Sequence, residues 1–266
     1  MAVSCSLIIV TYNYPEALEL ILDSVLIQTT LPSEVIIADD GSGPATKELI
    51  EKYAKKFPVP LIHVWHEDTG WRKAIILNKA IARSESEYIV QIDGDIFLHK
   101  DFIRDHLHFA KKGYYLFGTR VHVKKSYVPA VLKKKKIHFH FFSRGIKNRF
   151  RRVRYLRIAE KRKDFDEISP KLRGCNTSYW KEDLIRVNGF NEQMFGWGIE
   201  DSELALRFHN VGLKAKRLVY SAVCYHLDHD YKSRENVHQN EFLEKQTKLN
   251  KLTFAESGID KYLSQP

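Results

Sequence analysis

Cysteine is scarce in this sequence. The 266 residues include three, Cys5, Cys175 and Cys224, which are odd in number and lie far apart. A disulfide framework needs paired cysteines at close spacing in a small domain, so that class of protein is excluded. We expect three free thiols, most of them buried.

Glycine and proline, at 13 and 8 residues, are too few for collagen or for a low-complexity linker. No apolar run approaches the roughly 18 to 20 residues of a membrane span, and the amino terminus has no basic region ahead of its short apolar run. We therefore expect a cytoplasmic protein. With 44% hydrophobic and 29% charged residues, the chain can bury a core as one large domain or two small ones.

Acidic residues are nearly absent from 133–163. This segment has 14 Lys or Arg against one acid, Glu160, and so carries a charge of +13 in a chain whose net charge is +10. The remaining residues sum to −3. A chain of ordinary, slightly acidic charge therefore carries one basic segment.

Short β-branched runs alternate with helical patterns in the first half of the chain. This alternation predicts an α/β fold, in which a largely parallel sheet is covered by helices on both faces. The second half is less regular, with a helix predicted over 200–210, a strand over 219–224 and a helix over 236–251. The predicted strands of the first half are 6–10, 34–38, 61–65, 88–92 and 114–117.

Polar residues follow the predicted strands at their carboxyl ends, where open sheets of this kind bind ligands. These residues are 11–13, 39–40, 66–72 and 93–95. Any one cluster could be turn chemistry alone, because Asp, Asn and Gly are common in turns. Four such clusters on one edge predict a site.

Asp93-Gly94-Asp95 can place two carboxylates around one divalent cation, because the glycine lets the backbone turn while both side chains converge. The alternative is a plain Asp-Gly turn. A buried strand before the motif and an apolar run after it favour the cation site. A hard cation held by few carboxylates usually completes its shell with substrate phosphates.

Two further motifs could bind a ligand beside this cation. Asp40 could accept a hydrogen bond from a base or a sugar, while Asp39 braces the turn; the alternative is an Asp-rich turn without a ligand. Gly70-Trp71-Arg72 combines a flexible backbone point, a stacking surface and a bidentate phosphate donor, although an isolated arginine is usually a solvated charge.

Glu200 and Asp201 begin a predicted helix directly after an aromatic, glycine-rich loop that contains Trp197. Acids favour helix amino termini for electrostatic reasons alone. A sugar site would use the same features, because the indole offers an apolar face and a carboxylate can remove a hydroxyl proton. His226 and His229 follow a predicted strand and fit either structural histidines or metal ligands.

Together these motifs resemble the inverting nucleotide-sugar glycosyltransferases of family 2, which have the fold called GT-A. LIIVTYN at 7–13 and VIIADDGS at 35–42 look like the family's nucleotide-binding strands, and 93–95 looks like its metal-binding DxD element. NGFNE at 188–192 and GWGIEDSE at 196–203 are similar to the carboxyl-terminal part of β1,4-galactosyltransferases and chondroitin-type polymerases.

The resemblance covers about residues 4–120 and 172–230. It implies a Rossmann-like, mostly parallel central sheet with helices on both faces and an acceptor-side subregion. The expected segments are a nucleotide-sugar-binding part at 1–120, a basic amphipathic insert at 121–171 that matches no family motif, an acceptor-binding and catalytic part at 172–235, and a carboxyl-terminal helical tail at 236–266.

The resemblance also implies roles for individual residues. Asp201 takes the place of the catalytic base, with Glu200 binding acceptor or donor sugar. The cofactor would be Mn²⁺ or Mg²⁺, held by Asp95, Asp93 and His226. The residues that would bind the nucleotide sugar, with Asp40 on the uracil, are Thr11, Asn13, Asp40, Arg72, Asn78, Asp93 and Trp197.

The implied activity is transfer, with inversion, of a hexose or N-acetylhexosamine from a UDP-sugar to a hydroxyl of a glycan or lipid-linked acceptor, in surface polysaccharide or lipopolysaccharide synthesis. Two other classes stay open. A sugar nucleotidyltransferase would want a glycine-rich phosphate loop after the first strand, and here no glycine occurs before Gly41. A non-catalytic RNA- or membrane-binding protein would use its acids structurally.

In the basic segment, Ile146, Phe150, Val153 and Leu156 recur at intervals of four, three and three, which predicts a short basic amphipathic helix. Such a helix in 133–163 could lie on an anionic membrane, so peripheral attachment to the inner face of the cytoplasmic membrane is expected. The alternatives are a mobile, solvated excursion and a nucleic-acid-binding segment, and nucleic acid is the least favoured partner.

Overall fold

Apolar, β-branched runs form two sheets in residues 3–230 and 236–263, which are the residues described by the structure, a computed structural model. The strands are β1 (Cys5–Thr11), β2 (Glu34–Asp39), β3 (Leu61–Trp65), β4 (Tyr88–Asp93), β5 (Ile96–Leu98), β6 (Tyr114–Gly118), β7 (Val121–Val123), β8 (Ile146–Lys147), β9 (Asp164–Phe165), β10 (Asn176–Trp180), β11 (Lys214–Leu218) and β12 (Cys224–Leu227).

Helices connect the strands and cover the sheet. Proline stands at the first turn of the first two helices, where its missing N–H costs no hydrogen bond. None of the described helices is long and apolar enough to cross a bilayer. The helices are α1 (Pro15–Leu26), α2 (Pro44–Ala54), α3 (Lys73–Arg83), α4 (Phe102–Phe109), α5 (Val128–Lys133), α6 (Leu156–Glu160), α7 (Lys181–Arg186), α8 (Glu200–Asn210), α9 (Val237–Leu249) and α10 (Asp260–Leu263).

The larger sheet has the strand order β3-β2-β1-β4-β10-β6-β11-β9. Its first four strands are mutually parallel, which confirms the predicted α/β arrangement for the first half of the chain. In β1, Leu7 and Ile9 pack into one hydrophobic cluster and Ile8 into the other, so both faces of the sheet are covered. Beyond β4 the sheet is mixed, because β10 pairs antiparallel with both β4 and β6.

The parallel strands end level with one another. Thr11 at the end of β1 is paired with Asp39 at the end of β2, and Val10 is paired with Asp93 at the end of β4. The polar residues that follow these strands are therefore collected on one edge of the sheet.

The predicted strand over 219–224 is wrong in position. β11 ends at Leu218, and β12 begins at Cys224. Between them the backbone of Tyr220 (φ +65°) and Ala222 (φ +44°) is left-handed, which an extended strand cannot accommodate. The cysteines match the prediction, because all three are free and buried.

The amphipathic helix predicted for the basic segment is also wrong. Ile146 lies in β8, which pairs with β7, and Phe150 lies in a 3₁₀-helix over Arg149–Arg152. Asn148 between them is left-handed (φ +55°), and Val153 is extended, so no continuous helix can form. The chain gains strand pairing and tertiary contacts in place of the local helical pattern.

A second, smaller sheet has the order β5-β12-β7-β8. It joins the strand that follows Asp93-Gly94-Asp95 to the strand that contains His226, and then to the basic segment. The division at 1–120, 121–171, 172–235 and 236–266 stays a prediction; of these segments, residues 1–2, 231–235 and 264–266 lie outside the described residues.

Candidate active site

A buried lysine joins two of the predicted acids. Lys73 Nζ lies 2.8 Å from Asp93 Oδ1 and 3.1 Å from Glu200 Oε1. Asp93 ends β4, Glu200 begins α8, and Lys73 begins α3. Acids that are more than a hundred positions apart in the sequence thus meet at one ammonium group.

The pKa values of this group reflect burial and charge together. Burial alone would lower the pKa of Lys73, but the charges of Asp93 and Glu200 outweigh it and raise that pKa well above its usual value. Burial raises the pKa of Glu200, and the neighbouring charge of Asp201 adds to this effect against the opposing charge of Lys73.

The start of α8 is fixed from both sides. Asp201 Oδ2 accepts the Gly174 N–H at 2.6 Å, and Asp201 Oδ1 accepts the Ser202 N–H at 2.9 Å. Ile199, the residue before the helix, has φ +80°, a strained conformation for a β-branched side chain. The geometry directs Glu200 and Asp201 toward the sheet edge at the cost of that strain.

A buried ion pair anchors the next turn of the same helix. Arg207 binds Glu203 on one side, and on the other it donates to the carbonyl groups of Val187 and Gly189 at 2.5 and 2.7 Å. Because the arginine is fully buried and every contact is charge-assisted, α8 is held rigidly against the 187–189 loop.

Asp95 forms a second centre with two histidines. Its Oδ2 lies 3.4 Å from His226 Nε2 and 3.0 Å from His229 Nε2. Burial would raise the pKa of Asp95, but the hydrogen bonds and charges of the two histidines outweigh it and hold that pKa well below its usual range. Among the described residues, nothing donates a hydrogen bond to the other oxygen, Oδ1, although it is buried.

Asp228 orients His226 through Nδ1, the ring nitrogen that does not face Asp95. Its Oδ1 lies 3.2 Å from His226 Nδ1 and 2.6 Å from His122 Nδ1 on β7. With Nδ1 held in this way, Nε2 of His226 points toward Asp95. Carboxylates that fix a histidine from its far nitrogen are typical of metal sites.

These residues fit a divalent cation. Asp95 offers a buried oxygen without a hydrogen-bond partner, and His226 and His229 offer imidazole nitrogens within reach of the same point. Carboxylate oxygen and imidazole nitrogen together suit Mn²⁺. Asp93 lies two residues away, although its Oδ1 faces Lys73.

The two acids at the end of β2 have different partners, and Asp39 braces the turn as the sequence predicts. Its Oδ1 accepts the Ser42 N–H at 2.8 Å, which braces the turn. Asp40 is also nearly buried, and its two oxygens contact His66 Nε2 at 2.7 Å and the Arg72 N–H at 3.0 Å. The contact of Asp40 with uracil stays a prediction.

Thr11 and Asn13 lie where β1 meets this turn. Thr11 Oγ1 is buried, and within residues 3–230 and 236–263 it has no hydrogen-bond partner. Asn13 Oδ1 accepts the Gly43 N–H at 2.9 Å, which ties the first loop to the second. Binding of the nucleotide by these two residues stays a prediction.

Asn78 lies in the protein interior, and its contact with the nucleotide stays a prediction. The residue is fully buried, and its Nδ2 donates to Phe190 O at 2.8 Å and to Glu192 Oε1 at 3.0 Å. Its Oδ1 accepts the Phe190 N–H at 2.8 Å. All of its hydrogen-bonding groups are engaged within the protein, so Asn78 anchors the loop that precedes the aromatic segment.

Arg72 and Trp197 lie in adjacent loops, because the Gly196 N–H donates to Trp71 O at 3.3 Å. The Arg72 guanidinium stacks on the Phe195 ring at 4.2 Å and lines a cavity of about 720 Å³, in whose lining none of Asp93, Asp95, Glu200 and Asp201 takes part. Trp197 is 39% exposed. Their roles toward phosphate and sugar stay predictions.

Sequence reasoning missed Lys73 and Asp228 and left His229 out of the metal site. Lys73 directly follows Gly70-Trp71-Arg72, but its position in an apolar-periodic helix gives no sign of a charge partner. Asp228 sits between the two histidines that were considered. The signal that could have indicated the larger metal site is the close spacing of His226, Asp228 and His229 after a strand.

The model of the family described as glycosyl transferase family 2 matches residues 6–171, which is more than half of the chain. The chain belongs to glycosyl transferase family 2. A second model, described as the N-terminal domain of galactosyltransferase, matches residues 154–230. This second match covers the part of the chain that contains Glu200, Asp201 and His226, as the resemblance implied.

Two curated relatives are longer than this chain. Chondroitin synthase of Escherichia coli is 26% identical over 250 residues, which cover 86% of this chain and 35% of the relative. Validoxylamine A glucosyltransferase of Streptomyces hygroscopicus subsp. limoneus is 27% identical over 222 residues, which cover 78% of this chain and 48% of the relative. The chain thus spans between about a third and a half of the length of these two relatives.

Solved structures establish the fold as GT-A. S. aureus TarS 1-349 in complex with UDP has a TM-score of 0.63 at 18% identity, covering 98% of this chain and 70% of that one. Mannosyltransferase PcManGT from Pyrobaculum calidifontis, in complex with GDP-Man and Mn²⁺, has a TM-score of 0.59 at 21% identity, covering 94% and 62%. At these identities the likeness concerns the fold alone.

Proposed function

We propose that this family 2 glycosyltransferase moves a hexose or N-acetylhexosamine from a UDP-sugar to a hydroxyl of a glycan or lipid-linked acceptor, with inversion, in surface polysaccharide or lipopolysaccharide synthesis. The observation that supports it best is the meeting of Asp93 and Glu200 at Lys73, with Asp201 next to them. The chondroitin synthase among its relatives and the UDP complex of TarS favour a UDP-sugar and a saccharide acceptor.

Asp95, Asp93 and His226, joined by His229, would hold Mn²⁺ or Mg²⁺. A divalent cation at this position supplies neutralising charge to the diphosphate of the donor and of the product. The protein's part is to hold these ligands, and Asp228 does so for His226.

Asp201 is proposed as the general base. Its carboxylate would take the proton of the acceptor hydroxyl, the hydroxyl oxygen would form a bond to the anomeric carbon, and the bond from that carbon to the diphosphate oxygen would break, releasing UDP. Attack on the face opposite the diphosphate inverts the configuration. Glu200 would hold the sugar, Trp197 would cover its apolar face, and Arg72, Thr11, Asn13 and Asp40 would bind the nucleotide.

Replacing the base tests this mechanism. Asp201→Asn keeps an oxygen that can accept the Gly174 N–H but cannot take a proton, so turnover should fall by about a hundredfold or more while donor binding is kept. Turnover is measured as UDP released from a UDP-sugar with Mn²⁺, and donor binding by calorimetry. Asp260→Asn, at an exposed position on α10, is the matched control.

Asp201→Asn turnover close to that of the unchanged protein would exclude Asp201 as the base. Release of pyrophosphate instead of UDP would identify a sugar nucleotidyltransferase. A protein that is inert toward every UDP-sugar would contradict the proposed activity itself.

We also propose that the acceptor is met at an anionic membrane surface through residues 133–163. The support is charge, because this segment carries 14 Lys or Arg and one acid. A lipid-linked acceptor is then concentrated where the enzyme binds.

A further inference from the structure

We infer that residues 137–152 form a lipid-docking surface, in which exposed phenylalanines enter an anionic bilayer while a neighbouring basic cavity takes a lipid phosphate headgroup. The inference deepens the proposed function and rests on it only for the lipid-linked acceptor. The binding event itself is independent of sugar transfer.

Three phenylalanines form the apolar part of the docking surface. Phe142 is 77% exposed and Phe150 is 75% exposed. The Phe141 ring contacts both of them, at centroid distances of 5.3 and 5.5 Å. Large side chains with this exposure make no contribution to the core, and clustered ones mark an interaction site.

The positive charge around the phenylalanine cluster indicates an anionic partner. The docking surface lies inside the +13 segment, so an anionic surface is attracted to it. The three rings pack edge to face, at interplanar angles of 81° and 72°. Successive bases of a nucleic acid stack on open ring faces, so this packing favours insertion into a bilayer over nucleic acid.

A cavity of about 370 Å³ opens beside the phenylalanines. Phe139 and Tyr225, with ring centroids 5.3 Å apart, form its apolar wall. Five of the eight described lining residues are Lys, Arg or His, and none of the eight is acidic. A phosphate ester with an attached apolar group matches both parts of this cavity. The lining residues are His99, Lys100, Ile137, His138, Phe139, His140, Arg152 and Tyr225.

Two turns join the cavity to the aromatic cluster. The turn over 140–143 is closed by the Ser143 N–H, which donates to His140 O at 2.9 Å. In the 3₁₀-helix over Arg149–Arg152, Arg152 Nε donates to Phe139 O, two residues after Phe150. The cavity and the aromatic cluster are therefore connected by hydrogen bonds, and a single lipid surface can contact both.

Flotation with vesicles tests the docking surface. The protein should bind vesicles made of equal parts of phosphatidylglycerol and phosphatidylcholine, and it should not bind pure phosphatidylcholine. Phe142→Ser/Phe150→Ser should lose at least tenfold in partitioning. Lys100→Gln should lose about fivefold, the loss of about 1 kcal/mol expected for one cation near an anionic surface.

Matched controls separate specific from general effects. Phe242→Ser on α9 removes an exposed phenylalanine elsewhere, and Lys47→Gln on α2 removes an exposed lysine elsewhere; both should bind as the unchanged protein does. All variants should keep the binding of UDP with Mn²⁺ measured by calorimetry, which shows that they are folded. Failure of transfer activity would leave the flotation result standing.

Calorimetry with soluble glycerol phosphate separates the two sources of the phosphate. Weak binding that Lys100→Gln removes, together with flotation on anionic vesicles, supports the headgroup assignment. Tight binding of glycerol phosphate without flotation would assign the cavity to a free phosphate ester and overturn the membrane proposal. Tight RNA binding without flotation, or equal flotation of the Phe142→Ser/Phe150→Ser variant, would overturn it as well.

Discussion

Lys73 controls the spacing of two carboxylates that would otherwise repel each other. Its ammonium lies within 3.1 Å of both Asp93 and Glu200, and its side chain is only 12% exposed. Removing one partner of a buried ion pair leaves uncompensated charge, which costs more than the pair contributes. The lysine therefore bears on stability and on the geometry of the site together.

Lys73→Met should lower the free energy of unfolding by about 2 kcal/mol, less than for a fully buried pair because Asp93 remains partly exposed. Urea denaturation measures this loss. Lys73→Arg, which keeps the charge, should recover most of the stability but less of the turnover, because the guanidinium is larger and planar. Equal free energies of unfolding for Lys73→Met and the unchanged protein would show that the contacts of Lys73 with Asp93 and Glu200 do not stabilise the fold.

Asp228 orients His226, which is a proposed metal ligand. Asp228→Asn should weaken Mn²⁺ binding by about ten- to a hundredfold, since His226 loses the carboxylate that orients its ring. Calorimetric titration with Mn²⁺ measures the change. Asp230→Asn is the control, because that carboxylate is exposed and binds Lys125. A Mn²⁺ affinity that Asp228→Asn leaves unchanged would remove His226 from the ligand set.

At the scale of elements, α4 is held to β10 through a histidine with shifted pKa. His106 is fully buried, and its two ring nitrogens lie 2.8 Å from Ser178 Oγ and 3.0 Å from Asn176 Oδ1. Burial lowers the pKa of His106 from 6.5 to about 4. At neutral pH the helix therefore packs against the sheet with this imidazole uncharged.

The consequence is a pH-dependent stability. The unfolded chain takes up a proton at His106 near pH 6.5, and the folded protein does so only near pH 4, so stability is present above pH 6.5 and is lost as the pH falls toward 4. His106→Gln should reduce the fall in unfolding free energy between pH 7 and pH 4.5 by about 2 kcal/mol. Urea denaturation at several pH values measures it. His238→Gln, at an exposed position, should retain the full pH dependence.

Elements with local signals could be predicted, and elements with distant partners could not. The strands β1, β2 and β4 were predictable because each is an apolar run, rich in β-branched residues, that is buried on both faces. The helix assigned to Ile146–Leu156 failed because β8 gains its hydrogen bonds from β7, more than twenty residues earlier. Local periodicity carries no information about such a partner.

At the scale of the whole molecule, the site depends on contacts between the two halves of the chain. Asp93, Asp95 and Asp201 could be singled out from the sequence because each belongs to a recognisable motif at the end of a strand or the start of a helix, and their roles stay predictions. The burial of Asn78 could not be predicted, because it follows from a loop more than a hundred residues away. Lys73 could not be assigned, since its partners lie at sequence distances that no pattern links.

A donor that binds only the folded molecule should raise its melting temperature. In a panel of nucleotide sugars with Mn²⁺, UDP-hexoses or UDP-N-acetylhexosamines at about a hundred times their dissociation constant should raise it by roughly 5–10 °C. Scanning fluorimetry measures the shift, and omission of Mn²⁺ should remove most of it. A shift with GDP-mannose larger than with every UDP-sugar would contradict the proposed donor.

The smaller sheet fixes the distance between the basic segment and the candidate active site. β8 in the basic segment is two strands from β12, which carries His226, so a distance on the order of 10 Å separates them. Hydrogen-bonded strands do not stretch, so a bilayer resting against residues 137–152 would always stand at one height relative to the reacting centre. An acceptor would then be selected by how far its hydroxyl projects from the lipid, and saccharides too short or too long for that gap would be poor substrates even with the correct terminal sugar.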